Sequence, residues 1–446
     1  MFYNYLKLAI KVLLRKKFFT FISLFGISFT LMVLMVYTAF LDTQLGSNAP
    51  LTEKERMIFM ERLEMAKEYF DTIPKIDTIV EAGITRYDTT DQINSVGNSR
   101  SSSYFDINFQ EKYYGSIDGA VNHSFYSPSS TFDVFVNNAK LTINAIHTDH
   151  RFFQILDFDF KEGQPWSEQE LNNANPIIVI TDEMADSFFG TDRNVLGKSI
   201  TLENQDYQVT GVVRKPGNNM AMVAGDVFIP HTLMKRYSDE ESYFGGFKAI
   251  FLAASANGLK KIKESLAFTT SQIPFLPKYD FNEMNASTYD YDELYALGFH
   301  EYKYYQEPAK GKRIMYYILA AIVLLFSIVP ILNLINLNVT RIYERSSEIG
   351  VRKAFGAKTG NILTQFVFEN VIQTLIGGII GLILAILLIK YINESNALDG
   401  TRLITNYKFF IYSFFICVFF GICSGLFPAW RMSKLNIAQA IKSNKL

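Results

Sequence analysis

Four stretches of this chain run without a single charged residue: Phe18–Phe40 (23 residues), Ile314–Ile335 (22), Val371–Ile389 (19) and Phe409–Phe427 (19). A helix needs about 20 apolar residues to cross the hydrocarbon core of a bilayer, so each stretch is long enough to span. Inside lipid the backbone must satisfy its own hydrogen bonds, which limits such segments to helices. The sequence therefore predicts an α-helical membrane protein with four transmembrane helices, at 18–40, 314–337, 366–390 and 409–427. The overall 49% hydrophobic content averages these runs with a polar region of ordinary soluble composition. The first run follows Arg15, Lys16 and Lys17. It exceeds the roughly 7–15 apolar residues of a signal peptide and lacks an A-x-A cleavage pattern, so it is expected to stay in the membrane.

Charge placement sets the orientation. The segments 1–17, 338–365 and 428–446 together hold 14 of the 43 Lys/Arg but two of the 44 Asp/Glu, leaving 29 basic and 42 acidic residues elsewhere. The positive-inside rule puts all three segments in the cytoplasm. Both termini are then cytoplasmic, and 41–313 and the short loop 391–408 lie outside. The spacing in 1–17 also fits an amphipathic helix lying on the inner leaflet.

The large outer region, 41–313, reads as an α+β domain inserted between helices 1 and 2, with two lobes. Its start, Thr52 to Phe70, has apolar residues at helical spacing. Thr52 and Glu55 offer a capping box, so a helix is expected there. Residues 91–103 are polar and end in N-S-R-S-S-S, which predicts a flexible loop. Ala139–Ile146, Ile177–Ile180, Lys198–Leu202, Tyr207–Val213 and Ala249–Ala253 read as strands, and Glu183–Phe189 and Gly258–Phe268 as helices. Both cysteines, Cys417 and Cys423, fall in the fourth run. They lie about 9 Å apart along one helix, too far to bridge.

Chemistry is sparse in the sequence. No G-x-x-x-x-G-K-[ST] phosphate loop and no G-x-S-x-G elbow occurs in these 446 residues. His147 and His150 form the closest histidine pair, without the spacing of a zinc motif. No metal or cofactor is expected in this chain, which reads as a non-enzyme. Within the spans, Glu369 and Asn370 are expected to be interfacial anchors. Small residues four apart, Gly377 and Gly381 in the third run and Gly421 and Gly425 in the fourth, predict close helix packing in lipid.

Between the second and third runs lies E-R-S-S-E-I-G-V-R-K-A-F-G-A, Glu344 to Ala357. It is a charged helix with exposed apolar points at Ile349, Val351 and Phe355 and a glycine stop at Gly356. Tethered closely to two spans, it reads as a docking helix for a soluble partner.

These residues, followed by I-L-T-Q-F-V-F-E-N, resemble the R-x-x-E-I-G-[IV]-R-[KR]-A-x-G-A…[QR]-F-x-x-E motif of MacB/FtsX-type ABC transporter permeases. Arg345, Glu348, Ile349, Gly350, Arg352, Lys353, Ala354, Gly356, Ala357, Gln365, Phe366 and Glu369 fill its positions. The closing F-P-A-W-R-M-S-K-L-N-I-A-Q-A-I-K is similar to the family's end, with Asn436 where proline is usual. Residues 175–190 and 195–213 are similar to its periplasmic core domain.

The resemblance implies that Arg345 to Ala357 form a coupling helix for a separate, dimeric ABC ATPase that binds ATP and Mg. It also implies pairing with a second copy or a homologous permease, and it admits a periplasmic adaptor. Membrane lipid is the expected environment, in the bacterial cytoplasmic membrane, and no nucleic acid is expected as a partner. ATP hydrolysed by the partner would move the outer domain, for export or extraction of an antibiotic, peptide, toxin or lipoprotein. Two other readings stand beside this: an FtsX-like regulator of cell-wall hydrolases, and a membrane sensor with an outer ligand-binding domain.

Overall fold

The computed structural model describes residues 17–328 except 82–83, 137–138, 191–193, 218–219, 221, 235–241, 300–306, 323 and 326–327; beyond these it describes 351, 355–356, 359–395 and scattered residues from 397 to 419. The chain divides into two units, Met1–Gly46 with Arg313–Leu446, and Ser47–Lys312. The first begins with helix α1 (Lys17–Leu45), which covers the first predicted span.

The second unit is built on thirteen described strands in one sheet. Strands β1 (Met57–Glu81) and β2 (Ile84–Phe105) form a long hairpin, followed by helix α2 (Ile107–Tyr114). Then come β3 (Ala120–Tyr126), β4 (Ser130–Val136), β5 (Ala139–Thr148), α3 (Phe152–Ile155), β6 (Phe160–Gly163), α4 (Glu168–Asn172), β7 (Ile177–Thr181) and α5 (Asp182–Phe189). The unit continues through β8 (Ser199–Leu202), β9 (Gln205–Val213), β10 (Val227–Pro230), β11 (Phe244–Gly245) and β12 (Lys248–Ala253). It closes with α6 (Leu259–Ser271), β13 (Glu283–Asp290) and α7 (Tyr291–Ala296).

The strand order is β11-β2-β1-β12-β3-β5-β10-β7-β9-β6, with β13 also on β1, β4 on β5 and β8 on β9. β5 with β10 and β7 with β9 are parallel pairs. β8 turns into β9 through Glu203 and Asn204, both at positive φ, as a two-residue hairpin requires.

Side-chain alternation divides the core. Met57 and Phe59 of β1, Ile250 and Leu252 of β12, Val179 of β7 and Phe228 of β10 point into one cluster, with Phe152 of α3, Leu171 of α4 and Tyr291 of α7. On the opposite face, Ile58 and Met60 join Phe251 and the α2 and α6 residues Phe109, Tyr114, Ile262 and Leu266. Farther along that face, Ile178, Ile180, Val227 and Ile229 pack with Met184 and Ala185 of α5. Strands covered on both sides read as continuous apolar runs, and β7, β10 and β12 are buried at every position.

Two sequence expectations are corrected here. Residues 52–70 are not a helix. A short 3-10 turn at Lys54–Arg56 leads into β1, and Glu53, not Thr52, precedes that turn without a side-chain cap. Met57 to Met60 are apolar at every position because both faces are buried, so the run satisfies helical and strand spacing alike. Pairing with β12, β13 and β2 then decides for the strand. The polar stretch 91–103 is not a loop but belongs to β2, whose Ser101–Ser103 pair with Leu63–Met65. The other predicted strands and both later helices form close to their predicted bounds.

Helix α8 (308–322) begins in the second unit and runs into the second predicted span, and in the first unit helix α9 (Thr359–Glu394) covers the third. Stretches of α1 and α9 are long and apolar enough to cross a membrane. The second span beyond 328, most of 409–427, the segment 1–16 and the tail 428–446 lie outside the described residues.

Candidate functional site

The predicted coupling segment is described at three positions. Phe355 N–H donates to Val351 O at 3.1 Å, one helical turn, and Gly356 follows with φ +85°. That left-handed conformation is where glycine commonly ends a helix. Val351 is 49% exposed and Phe355 88%, so two large apolar side chains stand in solvent beside this stop. Arg345, Glu348, Ile349, Gly350, Arg352, Lys353, Ala354 and Ala357 lie outside the described residues, as do Gly421 and Gly425.

Helix α9 carries a buried polar face about three turns in. Glu369, Asn370, Gln373 and Thr374 are each less than a tenth exposed, and Gln365 Nε2 donates to Glu369 Oε1 at 3.0 Å. Glu369 and Asn370, expected as interfacial anchors, lie at the start of the apolar stretch Val367–Glu394 and are buried there. Polar groups shielded from lipid by neighbouring helices avoid the cost of facing hydrocarbon, and this placement follows that rule.

One and two turns further on, α9 meets α1 through its glycines. A Cβ at Gly377 would lie 2.6 Å from Ile27 Cγ2, and one at Gly381 would lie 2.7 Å from the Ser28 carbonyl oxygen and 2.9 Å from Leu31 Cβ. A Cβ at Gly378, a position not expected to pack, would lie 2.8 Å from Phe414 Cε2. Its adjacency to Gly377 was the available signal. Ile27, Leu31, Met35 and Ala39 of α1 then form one cluster with Ala385 and Ile389 of α9 and with Leu403. At the far end, the Asn393 side chain exchanges two hydrogen bonds with the Leu403 backbone, at 2.8 and 3.1 Å, and Ile404 N–H donates to Thr43 Oγ1 at 2.9 Å. The arrangement is a helix pair in close contact along its length.

Among its described residues, the second unit offers no comparable arrangement. Ser124 Oγ donates to Asp149 Oδ1 at 2.6 Å, not to a histidine, and His123 Nε2 lies 2.9 Å from an Arg151 guanidinium nitrogen. Burial, reinforced by Arg151, holds His123 down at about 4, and burial alone holds His147 at about 4. Asp149 is pushed up by burial against the opposing charge of Arg151, and its Oδ1 accepts from Phe152 N–H at 3.1 Å at the start of α3. This network fastens α3 to β3. Neither His147 nor His150 belongs to a metal-ligating cluster among the described residues.

Comparison with known proteins matches residues 20–267 to the MacB-like periplasmic core domain and residues 320–437 to the FtsX-like permease C-terminal domain. The macrolide export ATP-binding/permease protein MacB of Vibrio parahaemolyticus is 27% identical over 319 residues, 71% of this chain and 45% of that protein. The pyoverdine export ATP-binding/permease protein PvdT of Pseudomonas syringae is 24% identical, over 66% of this chain and 42% of that protein. The chain thus spans less than half the length of these two relatives. The uncharacterized ABC transporter permease YknZ of Bacillus subtilis is 24% identical, over 68% of this chain and 70% of that one. A crystal structure of the extracellular domain of YknZ aligns at 16% identity with a TM-score of 0.32, over 41% of this chain and 88% of that one.

Proposed function

Because the chain belongs to the ABC transporter permeases that join a MacB-like periplasmic core domain to an FtsX-like C-terminal domain, we propose that it is the permease subunit of a transporter driven by a separate cytoplasmic ATPase. ATP and Mg bind that partner, and two permease copies, or this chain with a homologue, sit on the ATPase dimer in the bacterial cytoplasmic membrane. Four spans place both termini inside and 41–313 outside. Closure of the ATPase pushes on the segment Arg345 to Ala357. The spans carry the movement outward, and the outer domain delivers it as work on an antibiotic, peptide, toxin or lipoprotein.

The observation that carries this reading is the coupling motif itself, held between two apolar runs in a chain whose 446 residues contain no phosphate-binding loop. The exposed Val351 and Phe355 and the left-handed Gly356 supply the apolar contact and the stop that a docked helix needs. The closely packed α1–α9 pair, and a polar face of α9 buried away from lipid, suit a part that transmits movement.

The test is co-purification with the ATPase encoded beside this chain. Glu348→Ala and Gly350→Leu are expected to abolish co-purification or the stimulation of ATP hydrolysis by the permease. Retention of both properties in both variants overturns the assignment.

A further inference from the structure

The chain enters the outer unit after α1 and leaves it through α8, so these two tethers are its covalent links to the spans. Each is anchored. On the entering side Leu51 is fully buried in the core shared with Phe59 and Tyr291. Pro50 O accepts from Asp157 N–H at 2.8 Å, and Arg56 Nε donates to Ala253 O at 2.8 Å. Lys54 is only 6% exposed. Its ammonium lies 4.4 Å from the centre of the Tyr291 ring and 3.2 Å from Asp292 Oδ1. On the leaving side Lys312, within α8, reaches Asp290 Oδ2 at 3.0 Å and Asp292 Oδ2 at 3.4 Å.

Both lysines converge on the corner where β13 becomes α7. Asp292 divides its two oxygens between Lys54 and Lys312. Asp290 divides its own between Lys312 and the α7 backbone, where Oδ1 accepts from Glu293 N–H at 2.8 Å. Glu293 returns the bond to Asp290 N–H at 2.9 Å and pairs with Lys263 of α6. Burial works to lower the pKa of Lys312, but the two aspartates outweigh it and raise it, so the ammonium stays charged. The corner is rigid in turn, because β13 pairs with β1 from Ile58 to Ala66 and Tyr291 fills the core under it.

We propose that Asp290 and Asp292 are a clamp that holds the entering and leaving tethers of the outer domain as one stiff mount, with Lys54 and Lys312 as its two grips. This inference rests on the transmission reading above and assigns its outer attachment point. Two flexible tethers would let the spans move without carrying the domain. Two tethers pinned to one capped helix deliver a movement of either span to strand β1 and its neighbours. A partly buried, doubly shared carboxylate is hard to replace, because losing either charge leaves its partner uncompensated.

The test uses the full chain in complex with its ATPase, comparing the nucleotide-free state with the ADP-vanadate-trapped state by hydrogen exchange over peptides from 47–312. The wild-type complex is expected to show a trap-dependent change in exchange within the outer domain. Lys312→Ala and the isosteric Asp292→Asn are expected to lose that change while keeping vanadate-sensitive ATP hydrolysis and the complex itself. Lys312→Arg, which keeps charge and reach, is expected to retain it. If Lys312→Ala proves unstable, Asp292→Asn carries the comparison, since it preserves shape. A full trap-dependent change in wild type and both charge-loss variants overturns the clamp alone. No change in the wild-type complex while its ATPase is trapped overturns the transmission reading, and the clamp with it.

Discussion

Replacing Gly381 by alanine should be more damaging than the same change three residues earlier, at Gly378. At Gly381 the added Cβ meets the Ser28 carbonyl oxygen at 2.7 Å, Leu31 Cβ at 2.9 Å and Ser28 Cα at 3.3 Å. These atoms are backbone or fixed to it, so the helices themselves must separate. Restoring ordinary contact needs a shift of roughly 0.5–1 Å, enough to forfeit a quarter to a half of each dispersion contact across the seam. The seam includes Ile27, Leu31, Met35, Ala385 and Ile389, each nine-tenths or more buried. Overpacking of this kind costs about 1–3 kcal/mol. At about 2–4 °C per kcal/mol for a body of 150–250 residues, Gly381→Ala should lower the melting temperature of the detergent-solubilised protein by roughly 2–12 °C. At Gly378 the obstacle is the outer edge of the Phe414 ring, Cε2 at 2.8 Å and Cδ2 at 3.1 Å, which a side-chain rotation can clear. Gly378→Ala should therefore shift melting by less than about half as much. Equal melting of the two variants, or a Gly381→Ala protein as stable as wild type, would refute the claim that a backbone-limited contact holds α1 to α9.

Other perturbations have equally definite outcomes. His147 titrates at about 4 in the folded chain against an ordinary 6.5, so between these values only the unfolded chain takes up its proton. Stability should fall as pH drops from 6.5 to about 4, by up to about 3 kcal/mol at about 1.36 per unit, and His147→Gln should flatten that slope in denaturant titrations at pH 7 and 4.5. Asp149→Ala removes the acceptor for Ser124, Phe125, Arg151 and Phe152, and should cost about 2–4 kcal/mol in chemical denaturation. Past Ala66, β1 pairs with β2 alone among the described residues. Replacing 72–93 with an Asn-Gly turn across the Asp71–Asn94 pair should therefore leave the melting temperature within about 2 °C; a larger fall would show that the ribbon supports the core. Gly163, at φ +67°, would place a Cβ 2.1 Å from Thr210 O, so Gly163→Ala should strongly reduce the yield of folded protein.

Residues 52–70 show where local reading stops. M-E-R-L-E-M-A-K-E has charges at intervals that a helix would place outward, yet Glu61 pairs with Lys248 across the neighbouring strand and Glu64 accepts from Ser287. Those partners lie almost two hundred residues or more away, and nothing in the window announces them. The same holds for 91–103, whose serines complete a ladder begun at Leu63.

By itself the sequence determined the four long apolar runs, the uneven placement of basic and acidic residues along the chain, the lack of a phosphate loop in these residues and the match of Glu344 to Ala357 to a permease motif. Each is a property of contiguous residues acting against water, lipid or a motif's fixed spacing. Tertiary structure alone decided that β1 is a strand, because burial of both its faces depends on two cores assembled from distant segments. It alone also showed which glycines meet α1 and brought Lys54 and Lys312 onto one pair of aspartates. A contact between residues 54, 292 and 312 has no local period to betray it. It exists because β13 returns along β1 and carries Asp290 and Asp292 to the segment that holds Lys54.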